Sequence, residues 1–349
     1  MKNLEFTKVI KTGPSNKPKQ TKIHIPQLVG PLIDRLSITV PLPSKYHDDA
    51  RKALSNLHLE ANPKLSPKTA AKLAQDEGVT IGPKGTYKRG FKFRGKDQDG
   101  NLLDTAFLLQ ADPGTGTKNF YRFEWNPRLF GPGNLESTKV LLSSVIPDGW
   151  SRVVMHGRIT RLDVAFDLTK VDVNDLVLRG VRPQKFGLYV GADGRIETIY
   201  VGNPKGSHIC AYDRMKAIKG NGSKEPIPEI GPVTRIESRK VGAQIPVKNI
   251  KDQGNPFKKV KVYSCSQKDL TFGIRKHWPA FRDMCQVRGF HRAMKAISKH
   301  SRKSIKGSLD NLRPSWWDEE LNWSKWEDEI VKQQLLDPLP TDPPLDFVD

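Results

Sequence analysis

Six segments of the chain alternate between apolar and polar residues with a period of two, and this alternation constrains the fold most. They are 34–40, 120–126, 160–168, 198–202, 207–213 and 233–239. Successive side chains of a β-strand point to opposite faces of the sheet, so such alternation is typical of half-buried strands. Helical composition and spacing occur in most of the chain from about 267 onward and at 45–59, 66–77, 134–145 and 171–180. We predict an α+β fold with a central, mostly antiparallel sheet, helices on one face, and a basic helical C-terminal segment.

The charge of the chain is strongly positive and unevenly distributed. Its 349 residues include 58 Lys and Arg and 38 Asp and Glu, a formal net charge of +20. Residues 257–306 carry 14 basic residues against two acids, which accounts for +12 of that charge. No stretch approaches the ~20 apolar residues of a membrane span, and the three cysteines lack zinc-like spacing and fit a reducing compartment. We therefore expect no membrane partner and a polyanionic one.

Three of the predicted strands place arginines and carboxylates on a single face. An ordinary solvated face with cross-strand ion pairs explains any one of them. The set also has the chemistry of phosphodiester cleavage. Carboxylates are ligands for Mg²⁺ or Mn²⁺, arginines bind phosphate oxygens, and a tyrosine is a nucleophile if a cation lowers its pKa from about 10. On spacing alone, the solvated face remains the preferred interpretation. The residues concerned are Arg161, Asp163, Asp167, Tyr212, Arg235 and Glu237.

Four ordered motifs carry a resemblance to a known family. They are Arg122-Phe-Glu-Trp-Asn-Pro, Arg161-Leu-Asp-Val-Ala-Phe-Asp, the stretch from Thr198-Ile-Tyr-Val-Gly to His208-Ile-Cys-Ala-Tyr-Asp-Arg, and Thr234-Arg-Ile-Glu. Together they resemble the replication initiators of small rolling-circle plasmids and filamentous phages, the Rep trans type, also called replication initiation factors. The resemblance covers roughly residues 120 to 240 by sequence pattern.

The resemblance implies a metal-dependent, site-specific endonuclease and strand transferase that acts on one DNA strand. The family's nucleophilic tyrosine corresponds to Tyr212, which would form a 5′-phosphotyrosine and leave a free 3′-OH. The metal-ligand positions correspond to Asp163, Asp167 and Glu237, with Mg²⁺ or Mn²⁺ as the cofactor. Arg214 stands where the family has a lysine, which keeps the cation but not a titratable amine.

Several candidate residues have alternative roles. Arg161, Arg214 and Arg235 are candidate catalytic cations, although a structural ion pair explains each arginine about equally well. Tyr200 is a rival nucleophile for which we favour packing in the core. Four tryptophans are expected to pack a helix onto its domain rather than to stack on unpaired bases. They are Trp316, Trp317, Trp323 and Trp326.

We predict four regions along the chain. Residues 1–30 form a flexible basic arm, 31–265 the catalytic nicking and strand-transfer domain, 266–326 a basic helical DNA-binding segment, and 327–349 an acidic, Pro-rich disordered tail. In the basic segment an apolar stripe at helical spacing faces inward and the basic residues lie off it. The predicted DNA contacts are Arg282, Arg288, Arg292, Lys295 and Lys299.

The resulting hypothesis is a replication initiator that nicks one strand of an origin DNA and later closes it, in the cytoplasm of a bacterial host. Its expected partners are double- and single-stranded origin DNA, a host helicase and a host polymerase. A homodimer is compatible with the resemblance, although no sequence feature signals it. The alternative is an origin-binding regulator with the same fold and no cleavage activity.

Overall fold

A computed structural model describes most of the chain between Pro26 and Asp342. The described residues are 26–50, 52–53, 79–81, 89–111, 120–182, 184–203, 205–220, 231–264, 275, 277–309, 312–340 and 342. Most of the predicted basic arm 1–30, the whole predicted helix 66–77 and residues 54–59 of the predicted helix 45–59 lie outside them.

Twelve strands lie in the described part of the chain. They are β1 (Leu28–Pro41), β2 (Val79–Ile81), β3 (Arg89–Lys96), β4 (Leu102–Ala111), β5 (Phe120–Trp125), β6 (Arg158–Thr169), β7 (Leu176–Gly180), β8 (Phe186–Val190), β9 (Ile196–Gly202), β10 (Ser207–Asp213), β11 (Val233–Pro246) and β12 (Val260–Ser264). All six strands expected from the alternation are among them.

Ten strands form one sheet in the order β2-β3-β4-β5-β1-β6-β11-β10-β9-β8, and the paired strands are antiparallel throughout. The predicted α+β class with an antiparallel sheet is therefore confirmed. Of the three strands with arginines and carboxylates on one face, β6 and β11 are adjacent and β5 is separated from β6 by β1, while β10, which carries Tyr212, follows β11. Their polar residues consequently form one continuous surface.

Nine α-helices have both ends within the described ranges. They are α1 (Pro127–Phe130), α2 (Pro132–Ser143), α3 (Gly149–His156), α4 (Arg214–Gly220), α5 (Trp278–Arg288), α6 (Phe290–Ala296), α7 (Lys299–Ser308), α8 (Glu319–Trp323) and α9 (Trp326–Lys332). Residues 47–50 and 52–53, inside the predicted helix 45–59, are helical as well. Helix α2 confirms the prediction for 134–145. None of these helices combines the length and apolar composition needed to cross a membrane.

The main core lies between one face of the large sheet and the helices that cover it. The apolar residues of the strands, including Phe123, Phe166 and Ile236, pack there with Trp150 of α3 and Trp326 of α9. Trp317 is also buried in this core, and Trp316 and Trp323 pack against it half-buried. The expectation of packing is therefore confirmed for Trp317 and Trp326, and Trp316 and Trp323 pack against the core while each stays partly exposed.

The helix predicted over 171–180 is wrong. Residues Val173–Asp175 form a 3-10 turn, and Leu176–Gly180 form β7, which pairs with β12 in a two-stranded sheet. The physical reason is tertiary: the run Leu176-Val-Leu is buried, and its pairing partner lies about 80 residues further along the chain. Such a partner overrides a short helical pattern.

The basic helices α5, α6 and α7 pack against the two-stranded sheet and form a second core. Trp278, Phe281 and Cys285 of α5 meet Phe290 and Ala293 of α6 there. The predicted apolar stripe of the basic segment is confirmed. The helical character predicted from 267 onward is confirmed for the described residues.

The predicted disordered tail is wrong over residues 327–340. Most of α9 lies in this stretch, and Ile330, Leu335 and Leu339 are buried. Lys139 of α2 donates hydrogen bonds from its Nζ to the carbonyl oxygens of Gln334 and Asp337, at 2.7 and 2.6 Å. The acidic composition hid these few apolar residues, of which Ile330 lies on α9 and Leu335 and Leu339 lie beyond its end. Residues 343–349 lie outside the described part.

Candidate functional site

One face of the large sheet carries the acids, arginines and tyrosines that the alternation placed opposite the core. The intervening residues of the same strands, such as Val164, Ile209 and Ile236, lie in the main core. We call the opposite surface the polar face, and it comprises Asp34, Arg35, Glu124, Arg161, Asp163, Asp167, Thr198, Tyr200, His208, Cys210, Tyr212, Arg235, Glu237 and Arg239.

Tyr212 on β10 lies at the centre of a cross-strand row on the polar face. Its Cα partners are Thr198 on β9 and Arg235 on β11, and Arg235 in turn lies opposite Asp167 on β6. Two strand spacings therefore separate Tyr212 from Asp167, roughly 10 Å across the sheet. The structure places the predicted nucleophile and the predicted acids on the same side of the sheet.

Arg235 on β11 links acids of two other strands, β6 and β1, at the middle of the polar face. Its side chain is fully buried, and it bonds Asp167 through Nε at 2.6 Å and Nη2 at 2.7 Å. Its Nη1 also donates to Asp34 on β1. Burial lowers the pKa of the guanidinium. The hydrogen bonds to Asp167 and the charge of Asp34 raise this pKa by more than burial lowers it, so the group stays charged.

The two other predicted metal ligands are each bound to an arginine. Arg161 bonds Asp163 through Nη2 at 2.6 Å and Nε at 2.9 Å. Arg239 bonds Glu237 through Nε at 2.8 Å and Nη2 at 3.0 Å. The ion pairs that a solvated sheet face would form are thus present, but the carboxylates are almost completely buried rather than solvated.

Asp163 has an unusual protonation equilibrium for a carboxylate bonded to arginine. Burial raises the pKa of its carboxyl to about 6, and the nearby charge of Glu237 also raises it, although Arg161 and Arg239 oppose the shift.

Glu124 on β5 behaves in the opposite way. Burial raises the pKa of its carboxyl, but Arg122, Arg35 and Ser37 outweigh this and bring it to about 2.

The donor set does not fit a divalent metal ion in this arrangement. Mg²⁺ requires several oxygen ligands in near-octahedral geometry, whereas Asp163, Asp167 and Glu237 direct both oxygens at guanidinium groups. Among the described residues, no three acid, histidine or cysteine side chains are grouped so as to hold a metal. The metal requirement stays a prediction, and no chemical step below is derived through a metal.

A cavity of about 440 Å³ opens on the polar face beside Tyr212. Burial raises the pKa of the Tyr212 phenol well above 10, and the charge of Glu237 adds to this while Arg235 opposes it. The phenol is therefore neutral at pH 7 and needs a proton acceptor to become a nucleophile. The other polar side chains that line the cavity are Asp34, Asn126, Thr198, Tyr200, Arg214 and Arg239.

Four polar lining residues, Asp34, Asn126, Thr198 and Arg239, were not among the predicted site residues. Asn126 donates to Asp34 at 3.4 Å. Asp34 reaches the face because the β1–β6 pairing is irregular between Ile33 and Arg35, a bulge that re-aims a side chain. The Asn126 position is part of the motif Arg122-Phe-Glu-Trp-Asn-Pro and was open to prediction, whereas a bulge has no signal in one sequence.

Tyr200 does not pack in the core, so that expectation is wrong. It is on the polar face, its ring centroid is 6.0 Å from that of His208, and it lines the same cavity as Tyr212. The reason is strand parity: Ile199 and Val201, the neighbours of Tyr200 on β9, both face the core.

The predicted DNA contacts lie apart from this cavity. Arg288, Arg292 and Lys295 line a second cavity beside α5 and α6. Arg282 pairs with Asp283 at 3.2 Å, and Lys299 is exposed in the first turn of α7.

Comparison with known proteins adds no relative. No protein-family model matches the chain, and a search of the curated proteins finds no match.

Proposed function

We propose that the protein nicks and rejoins one strand of an origin DNA through a phosphotyrosine at Tyr212, and so initiates rolling-circle replication. The observation that carries the proposal is the cavity on the polar face, which is lined by Tyr212 together with Arg214, Arg239 and Asp34. A phosphodiester needs a nucleophile, cations for its oxygens and an acceptor for the nucleophile's proton.

In the proposed reaction, the Tyr212 oxygen attacks the scissile phosphorus and its proton passes to the Asp34 carboxylate. The bond from phosphorus to the 3′-oxygen breaks, and that oxygen takes up a proton from water, to which the protonated Asp34 returns one, to become the free 3′-OH. Arg214 and Arg239 stabilise the negative charge that develops on the non-bridging oxygens. The 5′-phosphotyrosine retains the energy of the broken bond, so a later attack by a 3′-OH rejoins the strand without hydrolysis.

Arg235 and Arg161 act in this proposal as positioning residues. Arg235 is bonded on both sides, to Asp167 and Asp34, and so fixes the acid that receives the proton. Arg161 is bonded to Asp163 and does not line the cavity. Their contribution is therefore to hold the acids of the polar face in place.

The charge distribution supports DNA as the partner. Of the formal net charge of +20, +12 lies in residues 257–306, which include α5, α6 and most of α7. Cations at this density bind the phosphate backbone and give salt-dependent affinity. Recruitment of a host helicase and polymerase in a bacterial cytoplasm belongs to the same proposal. The dependence on Mg²⁺ or Mn²⁺ stays a prediction, because Asp163, Asp167 and Glu237 are each bonded to an arginine in this arrangement.

Covalent capture of DNA tests the proposal. The full-length chain is incubated with a library of labelled single-stranded oligonucleotides, with and without Mg²⁺ or Mn²⁺, and then separated on a denaturing gel. We expect a labelled adduct with the wild type and none with Tyr212→Phe.

Tyr200→Phe is the matched control, because it removes the other phenol of the same cavity. It should retain the adduct. An adduct in Tyr212→Phe would contradict the proposed nucleophile. Tight binding by the wild type without any adduct, in every metal condition, would favour the alternative of an origin-binding regulator.

A further inference from the structure

Two large cavities lie on the other side of the sheet from Tyr212. Their volumes are about 790 and 780 Å³, and they adjoin at Gln184, Lys185 and Val201, which line both. Val201 follows Tyr200 on β9 and therefore points to the opposite face. We call the two cavities together the rear groove. Its described lining contains many basic side chains and not one Asp or Glu.

The first half of the rear groove, between β7, β8 and helices α5 to α7, is built for anions. Arg179 is held there by Tyr263, to whose hydroxyl its Nη1 donates at 3.3 Å, and by the Phe290 ring at 5.1 Å. Within the part of the chain that the structure describes, no group accepts a hydrogen bond from the buried Nε atoms of Arg179 and Arg302. Buried donors are normally satisfied, and phosphate oxygens would satisfy them. Further cations on the lining are Arg182, Lys185, Arg292, Lys295 and Lys306.

The second half of the rear groove has a different character. Its floor is apolar and consists of Leu162, Val164 and Ile209 on the core face of β6 and β10. Half-buried Trp323 forms one side, and Lys240 and Lys259 stand at the rim. An apolar floor beside an indole ring and cations matches the two parts of a nucleotide, a flat base and a charged phosphate.

We propose that the rear groove binds a single-stranded segment of DNA, with phosphates along the basic half and an unpaired base on the apolar half. A single strand is favoured over a duplex because stacked and paired bases cannot reach an enclosed apolar floor. The charge complementarity is complete over the described lining. The site is separate from the Tyr212 cavity and does not depend on cleavage there, so the inference stands apart from the proposed nicking reaction.

Salt-dependent binding in the Tyr212→Phe background tests the inference, since cleavage cannot then interfere. The probes are a labelled 15-nucleotide oligo-dT and a hairpin duplex with a 15-base-pair stem. The groove variant replaces four exposed cations of the lining, Arg182, Lys185, Lys259 and Lys306, by Gln. The matched control replaces four exposed lysines outside it, Lys52, Lys96, Lys248 and Lys332, by Gln. Thermal melts check the folding of both.

We expect the groove variant to bind oligo-dT at least tenfold more weakly than the control. Its slope of log affinity against log salt should be shallower by about 0.7 for each phosphate that the variant no longer neutralises. Trp323→Leu should weaken oligo-dT binding roughly fivefold or more, by loss of stacking, and leave the salt slope unchanged. Duplex binding should respond much less to either change.

Three results would overturn the inference. The groove variant could bind oligo-dT as tightly as the control, or lose affinity for the duplex to the same extent as for oligo-dT. Trp323→Leu could also leave oligo-dT binding intact, which would mean that no base binds in the apolar half of the rear groove. All of these results are independent of whether Tyr212 forms an adduct.

Discussion

Tyr212 and Arg235 lie directly opposite each other on the antiparallel strands β10 and β11. The arginine is fully buried and bonds Asp167 and Asp34, so the phenol is the neighbour of a fixed positive charge. This pair connects the stability of the polar face with its proposed chemistry. Because Arg235 is held by two acids, its proposed role is to position them, as Arg161 positions Asp163, whereas Arg214 is proposed to stabilise the charge on the phosphate.

Removal of the Arg235 charge should destabilise the fold. Arg235→Gln leaves the largely buried carboxylates of Asp34 and Asp167 without their counter-charge, and breaking such a pair costs about 3 kcal/mol or more. We expect the free energy of unfolding in urea to fall by that amount. Arg195→Gln is the control, because its pair with Asp172 is largely exposed and should cost less than about 1 kcal/mol. Equal effects of the two substitutions would contradict the central role of Arg235.

Replacement of Arg214 should affect the reaction rather than the fold. Arg214 lines the Tyr212 cavity, and loss of one charge-stabilising donor typically slows a reaction by about 10²- to 10³-fold. We expect Arg214→Gln to reduce the rate of adduct formation by this factor with little change in DNA affinity. Arg161→Gln, which removes a cation bonded to Asp163 outside the cavity, should slow the rate much less. A larger loss of rate in Arg161→Gln than in Arg214→Gln would contradict the roles assigned to these two arginines.

Asp163 should make the protein less stable as the pH rises. Its pKa is raised from 3.8 to about 6 in the folded state, so the folded state binds more protons than the unfolded state between these values. Stability from this group is therefore present below about pH 4 and lost as the pH passes 6, by about 3 kcal/mol at most. The free energy of unfolding of the wild type minus that of Asp163→Asn should fall by up to this amount between pH 4 and 7.

Glu124 is the internal control, because its pKa shift has the opposite sign to that of Asp163. Its pKa is lowered from 4.5 to about 2, so its stabilisation is present above pH 4.5 and lost as the pH falls towards 2. The free energy of unfolding of the wild type minus that of Glu124→Gln should therefore fall as the pH is lowered. A wild-type minus Asp163→Asn difference that also falls on acidification would mean that Asp163 is an ordinary salt-bridged acid.

The docking of the C-terminal stretch depends on Lys139. Lys139→Met removes the donor to the carbonyl oxygens of Gln334 and Asp337 and leaves them unsatisfied, at a cost of about 1–3 kcal/mol. We expect faster proteolysis between residues 333 and 342 in the variant. Lys332→Met, on the exposed side of α9, should leave the cleavage rate unchanged. Unchanged proteolysis in Lys139→Met would mean that other contacts hold the stretch.

The polar face was predictable because strand parity is a local property. Once 207–213 and 233–239 are strands, Tyr212 must share a face with Cys210, and Arg235 with Glu237, whatever the rest of the fold. That β6, β11 and β10 are neighbours could be learned only from the structure. The strand Leu176–Gly180 and the docked stretch 327–340 were missed because both depend on partners distant in sequence. Asp34 was missed because a bulge brings it to the face.

Identification of the residue that carries the DNA tests the central claim most directly. The covalent adduct is digested with a protease and a nuclease, and its peptides are sequenced by mass spectrometry. The account predicts a nucleotide attached through a 5′-phosphate to Tyr212, in the peptide that contains β10. A nucleotide on Tyr200 or on any other residue, or wild-type protein that binds and cleaves DNA without an adduct, would contradict it.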